Sequence, residues 1–271
     1  VKAVSAGYQY SLILKNDNTV WATGINGSAQ LGDGTKANQP RLIQVATGAI
    51  KIYASLYTSF IIKADNTLWG AGSNYIGMLG VNNETTAESL SFTQIDTDVK
   101  SVANGANHTL FLKMDNTVWA AGANNSGQLG NTALGAGSFR KVKIADNVKD
   151  IAAGRLHSKK KKNDNTLWGA GFNSHGQLAT AAAPGGVAGN LTQITTDVKA
   201  MQIAANGLNS YIIKNDNTLW GCGWNQYGQL ANGNNTDQAT FQKISDNVVD
   251  FSPGYAHILL LKTDKTIWAS G

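Results

Sequence analysis

The sequence is poor in cysteine, proline and charged residues. It contains one cysteine and three prolines in 271 residues, and charged residues make up 14% of it. The single cysteine, Cys222, excludes an internal disulfide, and the low charge leaves asparagine, threonine, serine and glutamine to form the polar surface. The chain also lacks a run of 18 apolar residues, so we expect no membrane-spanning helix. Its first residues, VKAVSAGYQYSLIL, lack the pattern of a signal peptide.

The sequence repeats itself with a period near 49 residues. Six tryptophans mark the copies at intervals of 48, 50, 49, 52 and 48 residues, namely Trp21, Trp69, Trp119, Trp168, Trp220 and Trp268. Each stands in a shared phrase such as NDNTVWATG or ADNTLWGAG, and five copies continue into a glycine turn such as NSGQLG. A period of about 40–50 residues with several short strands in each copy is typical of a β-propeller.

The hydrophobic pattern within one copy predicts four short strands. In the first copy they cover 2–6, 11–15, 19–23 and 41–46, and turn residues bound each of them. The Asp-Asn-Thr step between the second and third strands is predicted to be a hairpin turn with positive φ at its second residue, a conformation that asparagine tolerates. That position holds Asn18, Asn66, Asn116, Asn165, Asn217 and Lys265.

These phrases resemble the repeat of the regulator of chromosome condensation family, whose units read roughly V-x-x-V-x-x-G-x-x-H-S-L-x-L, then D-G-x-V, W-G and N-x-x-G-Q-L-G. The resemblance covers the whole chain. Asparagine replaces the glycine of the D-G turn, and the tryptophan lies two positions earlier than in the family. We interpret both departures as marks of a bacterial branch. Members of the family are propellers, usually with seven blades.

The resemblance implies a single propeller domain over residues 1–271, with five and a half repeats of about 49 residues. If each blade takes its first strand from the end of the preceding repeat, complete blades cover 40–72, 90–122, 138–171, 191–223 and 241–271. The first blade, 1–24, then lacks a strand. We therefore expect an all-β propeller of about six four-stranded blades with an incomplete first blade. The alternative is part of a seven-bladed ring.

The second strand of the fourth copy is an exception to the apolar pattern. Five copies carry triplets such as Leu12-Ile13-Leu14, whereas the fourth carries Lys159-Lys160-Lys161. Three interpretations are open: a functional basic patch, a solvated edge strand, or a misassigned or altered stretch of sequence. The formal charge of +5 falls to +2 without these three lysines. The positive net charge therefore gives no reason to expect a nucleic-acid partner.

Catalytic motifs are not found in the sequence. It contains no G-x-S-x-G, no G-x-x-x-x-G-K and no Cys/His cluster with metal-ligand spacing. The repeated aspartates occupy one place in a hairpin turn, which indicates a structural role. Three recurring histidines, His108, His157 and His257, lie one or more blades apart, too far to share a metal ion. We expect neither an enzyme nor a cofactor.

The loop tips differ between copies while the scaffold positions repeat. After the first glycine and after W-x-x-G, the tips contain tyrosine, tryptophan, phenylalanine, histidine or arginine, types that often anchor protein interfaces. The alternative is that these aromatic side chains only pack one blade on the next. The predicted partner-binding residues are Tyr8, Tyr10, Tyr57, Tyr75, Ile76, Arg155, Phe172, His175, Trp224, Tyr227 and Tyr255.

We predict a non-catalytic scaffold that binds another protein through one rim of variable loops, in the extracellular space or at the cell surface. A cytoplasmic location is the alternative. Two other functions stay open. Guanine-nucleotide exchange on a small GTPase requires, in the family, a wedge-like insertion, for which the chain offers only the Ala/Gly-rich segment 179–191. A glycan-binding module is disfavoured by the lack of an acidic or basic cluster.

Overall fold

The chain folds into six antiparallel β-sheets that follow one another in sequence. The computed structural model describes residues 1–81, 87–180, 186–204 and 207–271. Within these ranges the only helical element is a short 3₁₀ helix, Thr132–Leu134. Five sheets have four strands and the sixth has three. The fold is a six-bladed β-propeller, as the repeat predicts, and a seventh blade is not needed to account for it.

Each blade contains consecutive strands, in order of sequence. The first blade contains β1 (Ala3–Ala6), β2 (Tyr10–Leu14), β3 (Val20–Gly24) and β4 (Gln39–Ala46). The second contains β5 (Ala49–Ala54), β6 (Thr58–Lys63), β7 (Leu68–Ser73) and β8 (Glu88–Asp96), and the third β9 (Val99–Asn104), β10 (His108–Lys113), β11 (Val118–Ala123) and β12 (Gly137–Ala145). The fourth contains β13 (Val148–Ala153), β14 (His157–Lys162), β15 (Leu167–Phe172) and β16 (Val187–Thr195). The fifth contains β17 (Val198–Gln202), β18 (Asn209–Lys214), β19 (Leu219–Gly223) and β20 (Gln238–Ser245), and the sixth β21 (Val248–Pro253), β22 (Ile258–Lys262) and β23 (Ile267–Ser270).

The prediction of an incomplete first blade is wrong. The strand β4 pairs with β3, with Trp21 opposite Gln44 and Ala22 opposite Ile43, so it completes the first blade instead of opening the second. The predicted blade limits, such as 40–72, are displaced for the same reason. A strand that follows its neighbour through a loop pairs back on it more readily than it crosses to the next sheet. The blade with three strands is the last one, β21–β23.

The Asp-Asn-Thr turn is held together by side-chain hydrogen bonds. Asp17 Oδ1 accepts from the backbone N–H of Thr19 at 3.1 Å and from its hydroxyl at 2.7 Å. Hydrogen bonds from Thr19 lower the pKa of the Asp17 carboxyl. Thr19 Oγ1 in turn accepts from Trp21 Nε1 at 2.9 Å, and Lys15 Nζ lies 3.5 Å from the centre of the tryptophan ring. The repeated aspartate therefore positions the repeated tryptophan.

The predicted positive φ at the second residue of this turn is confirmed in all six copies. The values lie between 62° and 68° at Asn18, Asn66, Asn116, Asn165, Asn217 and Lys265. Asparagine adopts this left-handed conformation more easily than other non-glycine residues. The same turn thus closes the hairpin between the second and third strands of every blade.

The chain divides into two compact units. One comprises 1–123 and 136–146, and the other 124–135 and 147–271. In the first unit, Phe60 and Ile62 of the second blade pack with Val102 and Phe111 of the third. In the second unit, the corresponding junctions join the fourth blade to the fifth and the fifth to the sixth. Apolar side chains between successive blades form the core of each unit.

The three lysines of the fourth blade lie inside the second unit. Strand β14 is paired on both sides, and Lys159 and Lys160 are 0% exposed. Two of the three interpretations of this segment, a solvated edge strand and a surface basic patch, are therefore excluded. Lys159 Nζ lies 4.6 Å from the ring centre of Phe241, and Lys161 Nζ donates to the backbone carbonyl of Lys199.

Candidate partner-binding site

The predicted site residues all lie at one end of their own blades. In the fourth blade, the loop between β13 and β14 and the loop between β15 and β16 leave the sheet at the same end, as the pairs Ala153–Ser158 and Phe172–Val187 show. The first, second, third and fifth blades repeat this arrangement, and the sixth has the first of the two loops. We call it the loop end of a blade. The opposite end carries the Asp-Asn-Thr hairpins.

The loop after the third strand is braced from within. The asparagine of the N-x-x-x-Q-L motif accepts, through its side-chain oxygen, from the backbone N–H of the leucine five residues later, and five blades share this bond. The pairs are Asn26–Leu31, Asn74–Leu79, Asn124–Leu129, Asn173–Leu178 and Asn225–Leu230, at 2.8–3.0 Å. These side chains are buried. A fixed loop presents its tip residues with little loss of entropy on binding.

In the first unit, three of the predicted tyrosines are exposed. Tyr8, Tyr57 and Tyr75 all have large exposed side chains at the loop ends of the first and second blades. Ile76 is partly buried beside Tyr75. In the second unit, Arg155 is exposed and Phe172 is partly buried.

Tyr10 does not belong to this surface, so its assignment to the partner-binding set is wrong. Its side chain is buried, and its hydroxyl donates to the carbonyl of Thr58 at 2.7 Å. The same hydroxyl accepts from the backbone N–H of Ser55 at 3.0 Å and lies 3.0 Å from Ser59 Oγ. Burial raises the pKa of Tyr10 to about 12. Tyr10 therefore ties the first blade to the second, in the place where other copies carry histidine.

Replacing Tyr10 with phenylalanine is expected to destabilise the protein by about 1–3 kcal/mol, because the buried hydrogen bond from its hydroxyl to the carbonyl of Thr58 is lost. Urea denaturation measures the loss. The matched control is Tyr8→Phe, whose hydroxyl belongs to an exposed side chain, and which should leave the midpoint unchanged. Equal midpoints for the two variants would contradict the structural role of Tyr10.

In the second unit, the structure brings four of the predicted residues together. The ring of Trp224 lies 5.3 Å from that of Tyr227, 5.5 Å from that of Tyr255 and 6.5 Å from that of His175, measured between ring centres. We call these four residues the aromatic cluster. They come from the loop ends of the fourth, fifth and sixth blades, so residues far apart in sequence form one surface.

Within the aromatic cluster, exposure is unequal. Trp224 is only 9% exposed, whereas Tyr227 is 61% and Tyr255 is 47% exposed. The tilted and edge-to-face contacts that Trp224 makes are favourable for aromatic pairs. Trp224 is therefore the packed centre that positions the two tyrosines, and the tyrosines are the groups that a partner can reach. The aromatic cluster therefore does both things that the sequence left open: Trp224 packs between blades, and Tyr227 and Tyr255 are exposed at the surface.

The sequence analysis missed Asp237. Its Oδ2 lies 2.6 Å from His175 Nδ1, and its Oδ1 accepts from the backbone N–H of Asn225 at 2.8 Å. Asn38 makes the equivalent bond to the backbone of Asn26 in the first blade. A comparison of these two loops position by position would have shown that Asp237 replaces an amide, and this replacement was the available signal.

Few charged residues lie in the loops at this end of the blades. Of the 39 acidic and basic residues in the chain, only Asp33, Lys36, Glu84, Arg155 and Asp237 fall in these loops. Lys36 pairs with Glu88 at 2.7 Å, and Asp33 accepts from Asn26 and Gln39. Glu84 lies outside the described residues. Glycine, asparagine and alanine are the commonest residues of these loops instead, with Tyr8, Tyr57, Tyr75, Tyr227 and Tyr255 among them.

Groups that could bind a metal ion or act as a nucleophile are considered next, for the described parts of the chain. No group of three or more His, Cys, Asp or Glu side chains there could hold a metal ion. Burial raises the pKa of the Cys222 thiol, which keeps it protonated and unreactive. Within the same ranges, no helix has the length and apolar character that crossing a bilayer requires.

Comparisons with known proteins agree with the repeat and the fold. The regulator of chromosome condensation (RCC1) repeat matches residues 1–30, 99–128 and 202–229, and a second form of it matches 216–261. Among curated protein sequences there is no significant match.

Solved structures resemble the chain over nearly its whole length. Yeast RCC1 (Prp20), in a structure with Kap60 bound, has a TM-score of 0.84 and 17% identity over 98% of this chain and 69% of that one. Prp20p from Saccharomyces cerevisiae, solved in a study of its binding to Gsp1p and histones, has a TM-score of 0.82 and 18% identity, over 98% and 70%. Human WBSCR16 has a TM-score of 0.82 and 20% identity, over 98% and 75%. At these identities the likeness shows the fold. The repeat matches, the shared phrases and the fold therefore agree: the chain contains repeats of the regulator of chromosome condensation (RCC1) type and has the fold of these structural neighbours.

Proposed function

We propose that this protein is a non-catalytic scaffold that binds another protein through the loop ends of its blades. The aromatic cluster carries the proposal, because it presents Tyr227 on a braced loop and Tyr255 beside it, both in contact with the buried Trp224. Tyrosine is one of the residue types that most often contribute a large share of the binding free energy at protein interfaces.

The charge of the loop end supports a protein partner over a nucleic acid. Phosphate recognition needs several exposed Lys or Arg side chains. At the loop end of the last three blades, Arg155 is the one basic residue that the sequence places in the loops. The likeness to yeast Prp20, whose structures concern Kap60, Gsp1p and histones, also fits a scaffold that binds proteins. The absence of a nucleic-acid partner stays a prediction.

A comparative capture experiment tests the proposed site. The double variant Tyr227→Ala/Tyr255→Ala should lose the partner that the wild-type chain captures, because truncating a central interface tyrosine costs about 2 kcal/mol or more, roughly thirtyfold in affinity. Both tyrosines are exposed, so the fold should survive the change. Affinity for the captured protein is then measured with purified components by calorimetry.

The matched control is Met114→Ala, an exposed residue at the hairpin end of the third blade. It should bind as the wild type does. Unchanged binding by the tyrosine variant would contradict the proposed site. Nucleotide release from a captured small GTPase would favour the exchange alternative, and retention of glycans alone would favour the lectin alternative. Segment 179–191, considered for the exchange wedge, lies partly outside the described residues, at 181–185.

A location outside the cell or at its surface is part of the same proposal. The low charge and the asparagine-rich tips support it, and the bacterial origin on which it depends stays a prediction. Fractionation of the source cells tests it, since recovery of the protein from the cytoplasm alone would contradict it.

A further inference from the structure

A groove of about 390 Å³ lies between the first and second blades, both of which belong to the first unit. The residues that line it include the buried Gly32 and Ile61 and the partly buried Val45, Trp69 and Phe92. Strand β4 of the first blade and strand β8 of the second border it. Its volume falls within the range of small-molecule binding sites.

The basic residue among those that line this groove is Lys63, at the end of β6, and we call the site the Lys63 groove. Lys63 Nζ lies 3.8 Å from the centre of the Trp69 ring. In the described parts of the chain, Lys63 makes no ion pair with a carboxylate. Asp65 interacts with it electrostatically, but the Asp65 carboxylate accepts hydrogen bonds from Thr67. The groove therefore contains a cation without a directly bonded counterion.

Asp33 also lines the groove, but its carboxylate is already bonded. Its Oδ1 accepts from Asn26 Nδ2 at 2.9 Å and from the backbone N–H and the hydroxyl of Thr35. Its Oδ2 accepts from Gln39 Nε2 at 2.7 Å. These bonds hold Asp33 within its own loop of the first blade, so it is not the partner of Lys63.

The junction between the second and third blades, in the same unit, has an ion-pair network at the corresponding place. Asp96 occupies the position of Ala46, and Lys113 that of Lys63, as the strand pairing shows. The two carboxylate oxygens of Asp96 lie 2.7 Å from Lys113 Nζ and 2.8 Å from Lys141 Nζ. The three side chains are 10–17% exposed. A lysine at this position of the repeat therefore pairs with a carboxylate where the chain supplies one.

The first junction lacks two members of this network. Ala46 has no carboxylate, and Phe92 occupies the position of Lys141, as the pairing with the third strands shows. Lys63 is retained, so the position of its partner is open. A ligand with a carboxylate and an apolar body matches both differences. Its carboxylate would replace that of Asp96, and its body would contact the ring of Phe92.

We propose that the Lys63 groove binds small carboxylic acids that have an aromatic or aliphatic body. Lys63 donates to the carboxylate, and Trp69 and Phe92 contact the body of the ligand. Ion pairs at partly buried sites are screened less than those at the surface, and hydrogen bonds to charged groups are stronger than those between neutral groups. The site shares no residue with the aromatic cluster, so it does not depend on the proposed partner-binding function.

Titration of the 1–271 chain with phenylacetate tests the proposal, and phenylacetamide is its neutral analogue of the same shape. The indole N–H signal of Trp69 in heteronuclear NMR spectra, assigned with the variant Trp69→Phe, reports binding in the groove. The signal should shift with phenylacetate. Affinity for phenylacetamide should be about tenfold lower, because the amide cannot form the ion pair. Equal affinities for the acid and the amide would overturn the proposal.

Lys63→Met removes the charge at nearly the same side-chain length, and it should weaken phenylacetate binding about tenfold. The matched control is Lys15→Met. Lys15 makes the corresponding contact with Trp21 in the first blade, at 3.5 Å, and does not line the groove. This control should bind phenylacetate as the wild type does.

Ala46→Asp gives Lys63 the partner that Lys113 has in the next junction, so it should also prevent phenylacetate binding. The repeat accommodates an aspartate at this position, as Asp96. Circular dichroism melts establish that each variant is folded. Unchanged phenylacetate affinity in Lys63→Met or Ala46→Asp would contradict the assignment of the ligand carboxylate to Lys63. A blocked phenylalanyl-glutamate dipeptide that shifts the Trp69 signal when phenylacetate does not would also overturn the proposal, in favour of a peptide site.

Discussion

Replacing Lys160 with isoleucine is expected to stabilise the protein by on the order of 3–5 kcal/mol at neutral pH. Isoleucine stands at the corresponding position of the first, second and fifth blades, as Ile13, Ile61 and Ile212. The substitution therefore restores a residue that this position accommodates in three other blades. Few single changes have so large a stabilising effect.

The physical reason is the burial of an amine in apolar surroundings. Lys160 is 0% exposed, and its Nζ has no hydrogen-bond partner among the described residues. Burial lowers the pKa of Lys160 from 10.5 to about 7. Folding at neutral pH must therefore either remove its proton or bury its charge. An isoleucine side chain removes this cost and adds about 1.5–3 kcal/mol from apolar burial.

Urea denaturation at pH 7 measures the change as a shift of the midpoint at constant m-value. The matched control is Lys162→Leu in the same strand, where Nζ lies 4.1 Å from the ring centre of Trp168. This control should lose about 0.5–1 kcal/mol, the usual value of an exposed cation–π contact. A wild-type midpoint for Lys160→Ile would show that the buried amine carries no penalty.

Raising the pH from 7 to about 8.5 is expected to increase the free energy of unfolding by about 1.5 kcal/mol through Lys160 alone. Between its folded pKa of about 7 and its ordinary pKa of 10.5, the unfolded chain binds a proton that the folded chain does not. Stability therefore rises with pH through this window. Burial also lowers the pKa of Lys159, which acts in the same direction.

Other buried groups set the upper limit of the useful pH range. Burial raises the pKa of Cys222 above its ordinary value of 9.0 and that of Tyr10 to about 12. Each of these groups stays protonated in the folded chain when the unfolded chain has ionised, so each lowers stability as pH rises above its ordinary pKa. Measurements below about pH 8.5 leave the lysine effect dominant.

Denaturation curves at several pH values test this dependence. The double variant Lys159→Leu/Lys160→Ile, with the residue types of the first blade, should show a nearly flat profile over the same range. The difference between the two profiles isolates the lysines, because all other ionisable groups are shared. Parallel profiles would mean that neither lysine changes its proton affinity on folding.

The local features of the fold were predictable from the sequence. The first-copy strands were placed within two residues of β1 to β4, and the turn asparagines were given the correct backbone conformation. Both results depend on neighbours in the chain, through the alternation of apolar residues and the conformational preference of asparagine. The shared loop end of the predicted tip residues follows from the same strand order.

Features that depend on distant pairing were not predictable. The fourth strand could extend the sheet before it or open the sheet after it, and only the pairing of β3 with β4 decides this. In the sequence, Tyr10 is indistinguishable from a surface tyrosine. Only the structure shows that its hydroxyl is hydrogen-bonded to Ser55 and Thr58 of the next blade. The contact of Asp237 with His175 likewise joins loops 62 residues apart.

By itself, the sequence determined the six repeats, the strands within each and the end of the blade at which the variable loops lie, because these follow from short-range periodicity and turn chemistry. Only the tertiary structure decided which blade lacks a strand, that Lys159 and Lys160 are buried, and that loops of three blades meet at Trp224. The burial of a side chain and the contacts between blades depend on chain segments about 50 residues apart. A short-range sequence pattern does not predict which of those segments come together.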